Sequence, residues 1–430
     1  MAMKASEIIS GLRAGAYDDR LTALYGGDRL EAQRDRWTGA AESFADLYGD
    51  MDGAAVFSVP GRSEISGNHT DHNHGRVLAA SIDLDIIAVA APCGCGRIRV
   101  KSEGFDEDVV DITDLSPDKF PDYSSASIIA GMCDGLAKRG YKYGGFCAYT
   151  TNDVLKGSGM SSSAAFEVMI GNILNHFCNG GAIDAPTIAK TAQYSENVFF
   201  GKPCGLMDQT ACAVGGFVYI DFADPQNPVI EPLKFDLSEA GYSLCITSTG
   251  GNHADLNEDY ASVPAEMKAV AKELGAEVLR GFTFGDLLPR IPALHEKLGD
   301  RAILRAIHFI GENDRVEKQA EALKNGDLCG FLDGVTASGL SSWTKLQNVY
   351  TTKNVSEQGL SLALSVSEIA LKDTAKKAAC RVHGGGFAGT IQAFVPQENV
   401  AAYKQTLDSV FGEGACKALK IRPQGAVKVI

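Results

Sequence analysis

The chain has 430 residues, of which 45% are hydrophobic and 22% charged, and a formal net charge of −14. The length exceeds the ~250 to 300 residues at which one hydrophobic core stops growing, so two packed domains are expected, and the balanced composition excludes a disordered or fibrous chain. The acidic balance argues against nucleic acid or an anionic membrane surface as partner, since both require a basic face, but a few cations and helix N-termini still suffice for a small anionic ligand.

Met1 to Arg20 carries charges throughout, without the apolar run of a secretory signal, and no stretch of about 18 apolar residues follows. The eleven cysteines are odd in number and never fall in a C-x-x-C pair, so neither a zinc knuckle nor a disulfide frame is expected, and reducing cytoplasm is the simplest location. Cys93 and Cys95 form a C-x-C pair in a Gly-rich turn, to which no metal or redox role is given.

In chain order, a polar helical segment precedes a short strand at Val56 to Ser58, which enters a turn at Pro60-Gly61. Ile82, Leu84 and Ile86 alternate with Ser81, Asp83 and Asp85, the period of a half-buried strand, and Ile98 with Val100 suggests its partner. Ile129, Met132, Cys133, Leu136 and Ala137 recur at helical spacing, and Phe146, Ala148 and Thr150 then alternate as a strand. After a Gly/Ser-rich loop, Phe166, Met169, Ile170, Ile173, Leu174 and Phe177 form an apolar stripe that puts a helix start near Ser162 or Ser163. A second helix is expected from Pro186 to Gly201, burying Ile188, Ala189, Ala192 and Phe199, and a strand from Phe217 to Phe222. The turn-rich run Asp224 to Pro228 is the candidate boundary between domains at 1–225 and 226–430. Helical patterns follow, then a Gly-rich turn at Gly384 to Gly389 and a strand at Thr390 to Phe394.

Three Gly-containing segments stand out. Lys156-Gly157-Ser158-Gly159-Met160-Ser161-Ser162-Ser163 joins a strand to a helix, so its glycines let the backbone close on phosphate oxygens while the helix N-terminus supplies free N–H groups. It is not a G-x-x-x-x-G-K-[ST] loop, and by itself it also reads as a flexible linker with an N-cap serine. Gly201-Lys202-Pro203-Cys204-Gly205-Leu206-Met207-Asp208-Gln209 and Gly384-Gly385-Gly386-Phe387-Ala388-Gly389 are each compatible with a plain turn. In the segment Pro60-Gly61-Arg62-Ser63-Glu64-Ile65-Ser66-Gly67-Asn68-His69-Thr70-Asp71-His72, the imidazoles and carboxylate of His69, Asp71, His72 and the nearby His74 also resemble a metal-ligand cluster.

In this order and spacing the segments resemble the motifs of the GHMP kinases, and specifically the galactokinase branch, over Trp37 to Ile430. Segment 201–209 is similar to G-x-x-C-G-[IL]-M-D-Q. Segment 60–72 is similar to the signature P-G-R-V-N-L-I-G-E-H-T-D-Y, with departures at Glu64, Asn68 and His72. The resemblance implies an α+β fold with an N-terminal ribosomal S5 domain 2-like domain, a C-terminal ferredoxin-like domain, and ATP, Mg²⁺ and a sugar in the cleft between them. It implies a sugar 1-kinase, with galactose as substrate and galacturonate or N-acetylgalactosamine as alternatives; a non-catalytic sugar sensor on the same scaffold is the alternative of another class. Residue by residue, it implies Asp208 as the base beside the anomeric hydroxyl and Arg62 as the cation that keeps it ionised. Asn68, His69, Asp71, Gly205 and Tyr260 become sugar contacts, the residues Gly157, Ser158, Gly159, Met160, Ser161, Ser162, Gly385 and Gly386 border ATP, and Ser163 and Glu196 ligate Mg²⁺. Where the branch carries a Glu thought to hold the sugar's 6-hydroxyl, Asn68 would accept the same bond more weakly and relax the exclusion of galacturonate.

Overall fold

The computed structural model describes residues 3–154, 160–251 and 256–430. Its first sheet is organised by two long strands, β1 (Ala55–Ser66) and β2 (Arg76–Pro92), paired antiparallel along nearly their whole length. The free edge of β2 is shared, its C-terminal half pairing with β5 (Phe146–Asn152) and its N-terminal end with β6 (Phe217–Asp221). Beyond β5 lie β3 (Arg97–Ser102) and β4 (Glu107–Asp111), and beyond β6 lies β7 (Val229–Leu233). Because β1 and β5 occupy both edges of β2 in its C-terminal half, the expected pairing with Ile98 and Val100 does not form, and β3 runs parallel to β5 instead.

Two further expectations change for physical reasons. The strand that was expected to stop at Pro60 continues to Ser66, because register shifts between Pro60 and Arg62 and again between Glu64 and Ser66 absorb the proline and bend the strand. β2 is buried on both faces rather than one. Val56, Ile87 and Val89 pack against Trp37 and Phe44 of the helix Leu30–Tyr48, while the alternate residues Phe57, Ile86 and Ala88 join Met169 and Ile173 of the helix Ser162–Asn179 in the main core. The N-terminal helices therefore cover what would have been the solvent face, and Asp83 and Asp85 become buried. Asp85 accepts hydrogen bonds from Arg36 at 2.8 Å, Arg422 at 3.1 Å and Tyr25 at 2.5 Å; burial alone would raise its pKa, but the two guanidinium charges outweigh it and hold the carboxyl below its ordinary range.

The second sheet has the order β11 (Cys416–Leu419), β8 (Tyr242–Ser248), β10 (Thr390–Pro396), β9 (Ala379–His383), all antiparallel. Helices separate β8 from β9, and the helix Val400–Phe411 separates β10 from β11, which is the ferredoxin-like arrangement with a helical insertion after its first strand. The expected boundary at 225/226 falls between β6 and β7 of the first sheet, and β12 (Val427–Lys428) returns the end of the chain to β1. The bent end of β1 is tied to the second sheet: Gln392 donates to the Glu64 carbonyl at 2.8 Å and Arg381 to the Ile65 carbonyl at 2.8 Å. Cys93 and Cys95, expected to remain unpaired, form a disulfide across the turn after β2, with their Cα atoms 5.4 Å apart.

His308, on the 25-residue helix Asp300–Lys324, is fully buried against the segment that follows β1. Its Nε2–H donates to the Asn68 carbonyl at 3.0 Å, so Nδ1 accepts from the Ser341 hydroxyl at 3.0 Å, and burial pushes its pKa from 6.5 down to about 4. Between those values the unfolded chain binds a proton that the folded chain refuses. Stability from this group is thus present above the unfolded pKa and lost as pH falls toward the folded one, by up to ~1.4 kcal/mol per pH unit. His308→Gln is expected to flatten the decline in thermal stability between about pH 6.5 and 4, and an unchanged slope in calorimetry would refute this account.

Candidate active site

Arg62 sits at the first bulge of β1 and Asp208 in the first turn of the helix Met207–Val214, so a bend in one strand and the start of one helix bring them together. Arg62 Nε donates to Asp208 Oδ1 and Nη2 to Oδ2, both at 2.7 Å, a bidentate pair; the Ser161 hydroxyl also donates to Oδ2. Burial would raise the Asp208 pKa, but the Arg62 charge, its hydrogen bonds and the Ser161 bond outweigh that effect and hold it below the carboxylate range. Asp208 is therefore an ionised acceptor at neutral pH. Its side chain is 31% exposed where that of Arg62 is 8%, so of the two cavity-lining partners the acid is the more accessible. His383, at the end of β9, is kept neutral nearby, its pKa pushed down to about 3 by burial first and then by the charges of Arg62 and Arg381.

Asp208 opens into a cavity of about 500 Å³ lined by Met160, Ser161, Ser162 and Ser163 on one side and by Glu196, Lys202 and Gly205 on another. Ser161 caps the helix Ser162–Asn179 in the left-handed region, φ 55°, a conformation that a non-glycine residue holds only when its surroundings enforce it. Glu196 begins a π-helical turn, Glu196–Phe200, and is buried. Gln209 Nε2 donates both to Glu196 Oε2 at 2.9 Å and to Glu167 Oε2 at 3.1 Å, and Lys202 Nζ lies 3.4 Å from Glu196 Oε1. Burial, and then the adjacent Glu196 charge, push the Glu167 carboxyl well above its ordinary range. Among the described residues, no hydrogen-bond partner reaches the buried Glu167 Oε1. Two neighbouring buried carboxylates, one with an orphaned oxygen, beside a serine hydroxyl form an oxygen-donor set that suits a hard divalent cation.

On the far side of Ser162 and Ser163 lies a second cavity of about 590 Å³, walled by Ile86, Phe105, Tyr123, Ile128, Phe166 and Phe200. A third recess of about 140 Å³ adjoins the first through Asp71, His72, Met207 and Gly385, and is closed by Glu64, Asn68 and His69. His69 also has positive φ, 58°, and its Nε2 meets the Gly385 carbonyl at 2.8 Å. A Cβ at Gly205 would lie 2.5 Å from Asp71 Oδ2, so any side chain there would push the Asp71 carboxylate aside. The four residues His69, Asp71, His72 and His74 do not assemble as metal ligands; among the described residues no group of three or more His, Cys, Asp or Glu is arranged to hold an ion.

Of the residues singled out from sequence, Arg62, Asp71, Met160, Ser161, Ser162, Ser163, Glu196, Gly205, Asp208 and Gly385 line the central cavity together, and Asn68 and His69 line the recess. Asn68 is fully buried, with both ends of its amide bonded to protein. Tyr260 stands behind the Gly-rich turn rather than on either wall, donating to the Gly386 carbonyl at 2.9 Å and packing edge-on against Phe387. Gly386 is likewise set back, with φ 80° and a Cβ position only 2.0 Å from the Asn348 carbonyl. Gly157, Ser158 and Gly159 lie outside the described residues.

Residues 42–92 match the galactokinase galactose-binding signature and residues 124–216 the N-terminal domain of GHMP kinases. A galactokinase of Streptomyces coelicolor is 30% identical over 387 residues, which cover 88% of this chain and 94% of that one. A galactokinase of Lactobacillus helveticus is 30% identical, over 83% of this chain and 89% of its own. The chain belongs to the galactokinase family. The crystal structure of Lactococcus lactis galactokinase complexed with galactose has the same fold, with a TM-score of 0.74 at 23% identity, covering 90% of this chain and 98% of that one. As a member of the family, the chain is an ATP-using phosphotransferase that acts on a sugar hydroxyl.

Sequence reasoning assigned no role to Glu167, Gln209, Lys202 or Glu64. A usable signal existed for two of them: Glu167 is four residues after Ser163 on one helix face, and Gln209 directly follows Asp208. Gly205→Ala is expected to displace Asp71 and raise the KM for sugar about tenfold or more, with the KM for ATP changed far less, as the removal of a single well-placed polar contact typically does. Steady-state kinetics with each substrate varied in turn would show this, and equal effects on both would remove Asp71 from the sugar side.

Proposed function

We propose that the chain transfers the γ-phosphoryl group of ATP to the anomeric hydroxyl of galactose, giving galactose 1-phosphate and ADP. The observation that carries this reading is the ionised, cavity-facing Asp208, locked by a bidentate Arg62 and placed beside the N-terminus of Ser162–Asn179 where the cavities meet. The large apolar cavity has the size and lining for a nucleotide base, and it shares Ser162 and Ser163 with the central one. Phosphates entering from it would reach the helix N-terminus, whose free N–H groups and positive dipole end favour anions. The sugar would enter from the side of Asp71, His69 and the small recess, which presents its reacting hydroxyl to Asp208.

In this arrangement the Asp208 carboxylate accepts the hydroxyl proton as the oxygen attacks the γ-phosphorus, and the bond to the bridging oxygen of ADP breaks. Arg62 holds the carboxylate in place and supplies positive charge next to the transferring group. Ser163, Glu196 and Glu167 would hold Mg²⁺, which when bound neutralises phosphate charge. Lys202 lies against Glu196 and lines the same wall. We place the protein in the cytoplasm, where its nine free cysteine thiols would remain reduced.

Asp208→Asn preserves shape but removes the proton acceptor, so turnover is expected to fall by ~10² to 10⁴-fold while galactose still binds. A coupled ADP-release assay over galactose, galacturonate, N-acetylgalactosamine, arabinose and glucose, paired with calorimetric sugar binding, tests this; near wild-type turnover in the variant would overturn the assignment. Glu196→Gln and Glu167→Gln should each shift the Mg²⁺ dependence of the reaction and of Mg-ATP binding toward higher concentration. Unchanged Mg²⁺ titrations in both variants would take these carboxylates out of the metal site.

A further inference from the structure

The small recess contains a pair of side chains whose chemistry is exchanged relative to the signature that segment 60–72 resembles: a carboxylate at Glu64 where the signature has Asn, and a carboxamide at Asn68 where it has Glu. In the fold the two side chains touch, Asn68 Nδ2 donating to Glu64 Oε1 at 2.8 Å. The exchange is therefore made within one hydrogen-bonded pair, across four residues of a bulged strand end.

The two partners are placed very differently. Asn68 has no capacity left for a ligand: its second amide proton goes to the Gly384 carbonyl at 2.7 Å, and its oxygen accepts from Asn348 at 2.5 Å and from Ser342 at 3.5 Å. Its own carbonyl takes the His308 imidazole. Asn68 thus ties the bend after β1 to the Gly-rich turn and to the helical insertion. Glu64 lines the recess with a carboxyl whose described contacts all fall on Oε1, from Asn68 and from Arg381 Nη2 at 3.9 Å. Among the described residues no hydrogen bond or ion pair reaches Oε2. Burial pushes this carboxyl up to about 7 in spite of the Arg381 and Arg62 charges and the Asn68 hydrogen bond.

The recess, about 140 Å³, has room for a hydroxymethyl group, and it joins the central cavity through Asp71, His72, Met207 and Gly385. Neither Glu64 nor Asn68 borders the cavity that holds Asp208. The part of the substrate that reaches Glu64 is therefore the end remote from the reacting hydroxyl.

We propose that Glu64 is the specificity-determining residue of this recess, its carboxyl accepting a hydrogen bond from the hydroxyl at the remote end of the sugar, which for galactose is the 6-hydroxyl, while Asn68 is a strut that aims it. This rests on the galactose reading above. It also reverses the role expected for Asn68, since a buried carboxyl in the recess, rather than a neutral amide, meets the substituent at C6. Sugars that carry a hydroxyl there are accepted, and those that lack it are discriminated against.

The test compares D-galactose with 6-deoxy-D-galactose in the wild-type enzyme and in Glu64→Gln, using kcat/KM from coupled ADP release with thermal unfolding measured in parallel. Wild type is expected to prefer galactose by ~10- to 100-fold, the discrimination that one buried hydrogen bond provides when its loss leaves the acceptor unpaired. Glu64→Gln should lose about that factor on galactose, mainly through KM, and change by less than about threefold on the deoxy sugar. Equal losses on both sugars would mean a structural role and overturn the assignment. If the variant does not fold, the wild-type ratio decides, and an enzyme indifferent to loss of the 6-hydroxyl overturns it equally. An enzyme that uses galactose but shows no such ratio sinks the Glu64 assignment alone, whereas one that does not use galactose at all sinks both readings.

Discussion

The bidentate contact between Arg62 and Asp208 joins positions 146 residues apart in the chain, and the rest of the site is arranged around keeping it intact. A carboxylate in a cleft is useful only while ionised, and burial works against that. Arg62 offsets the burial and is itself nearly inaccessible, so breaking this ion pair is costly, typically ~3 to 5 kcal/mol for a buried pair. The bulge between Pro60 and Arg62 aims the guanidinium across the sheet end, and the turn Gly201 to Leu206 delivers Asp208 at the start of its helix. Site and scaffold are thus coupled through one ion pair.

Around that pair the backbone departs from ordinary geometry in a confined region. His69, Ser161 and Phe387 all have positive φ although none is glycine, and they come from three separate segments that meet at the cavity and its adjoining turn. Each such conformation costs of order 1 to 3 kcal/mol and persists only where neighbours enforce it. Here they are enforced by hydrogen bonds: His69 to the Gly385 carbonyl, Ser161 to Asp208, and the Phe387 amide to the Asn348 carbonyl. Of these, the His69 bond also ties the segment after β1 of the first sheet to the turn between β9 and β10 of the second.

A similar economy governs the buried charges away from the site. Asp83 and Asp85 lie beneath the N-terminal helices because Arg29, Arg36 and Arg422 reach them, and Arg422 comes from the chain end that returns to β1. Burying these carboxylates without their partners would be prohibitive. The N-terminal segment and the returning C-terminus are therefore held to the sheet by charge as well as by the apolar layer of Trp37, Phe44, Ile87 and Val89.

The sequence by itself determined the elements whose signals are local. The helix start at Ser162, the strand at Phe146, the helix ending at Gly201 and the motif residues Arg62 and Asp208 all followed from periodicity, caps and motif wording, which depend on neighbours within a few positions. It did not determine which strands pair or which faces are covered. Ile98 found β5 rather than β2, and Asp85, polar at an alternating position, went inside because distant arginines could neutralise it. Nor did it reveal which member of the Glu64 and Asn68 pair keeps hydrogen-bonding capacity for a ligand. That depends on Gly384, Ser342 and Asn348, brought from hundreds of residues away, consuming the hydrogen-bonding capacity of Asn68. Local chemistry is written in the order of residues, whereas the partners that satisfy or leave open a polar group are chosen only when the whole chain has packed.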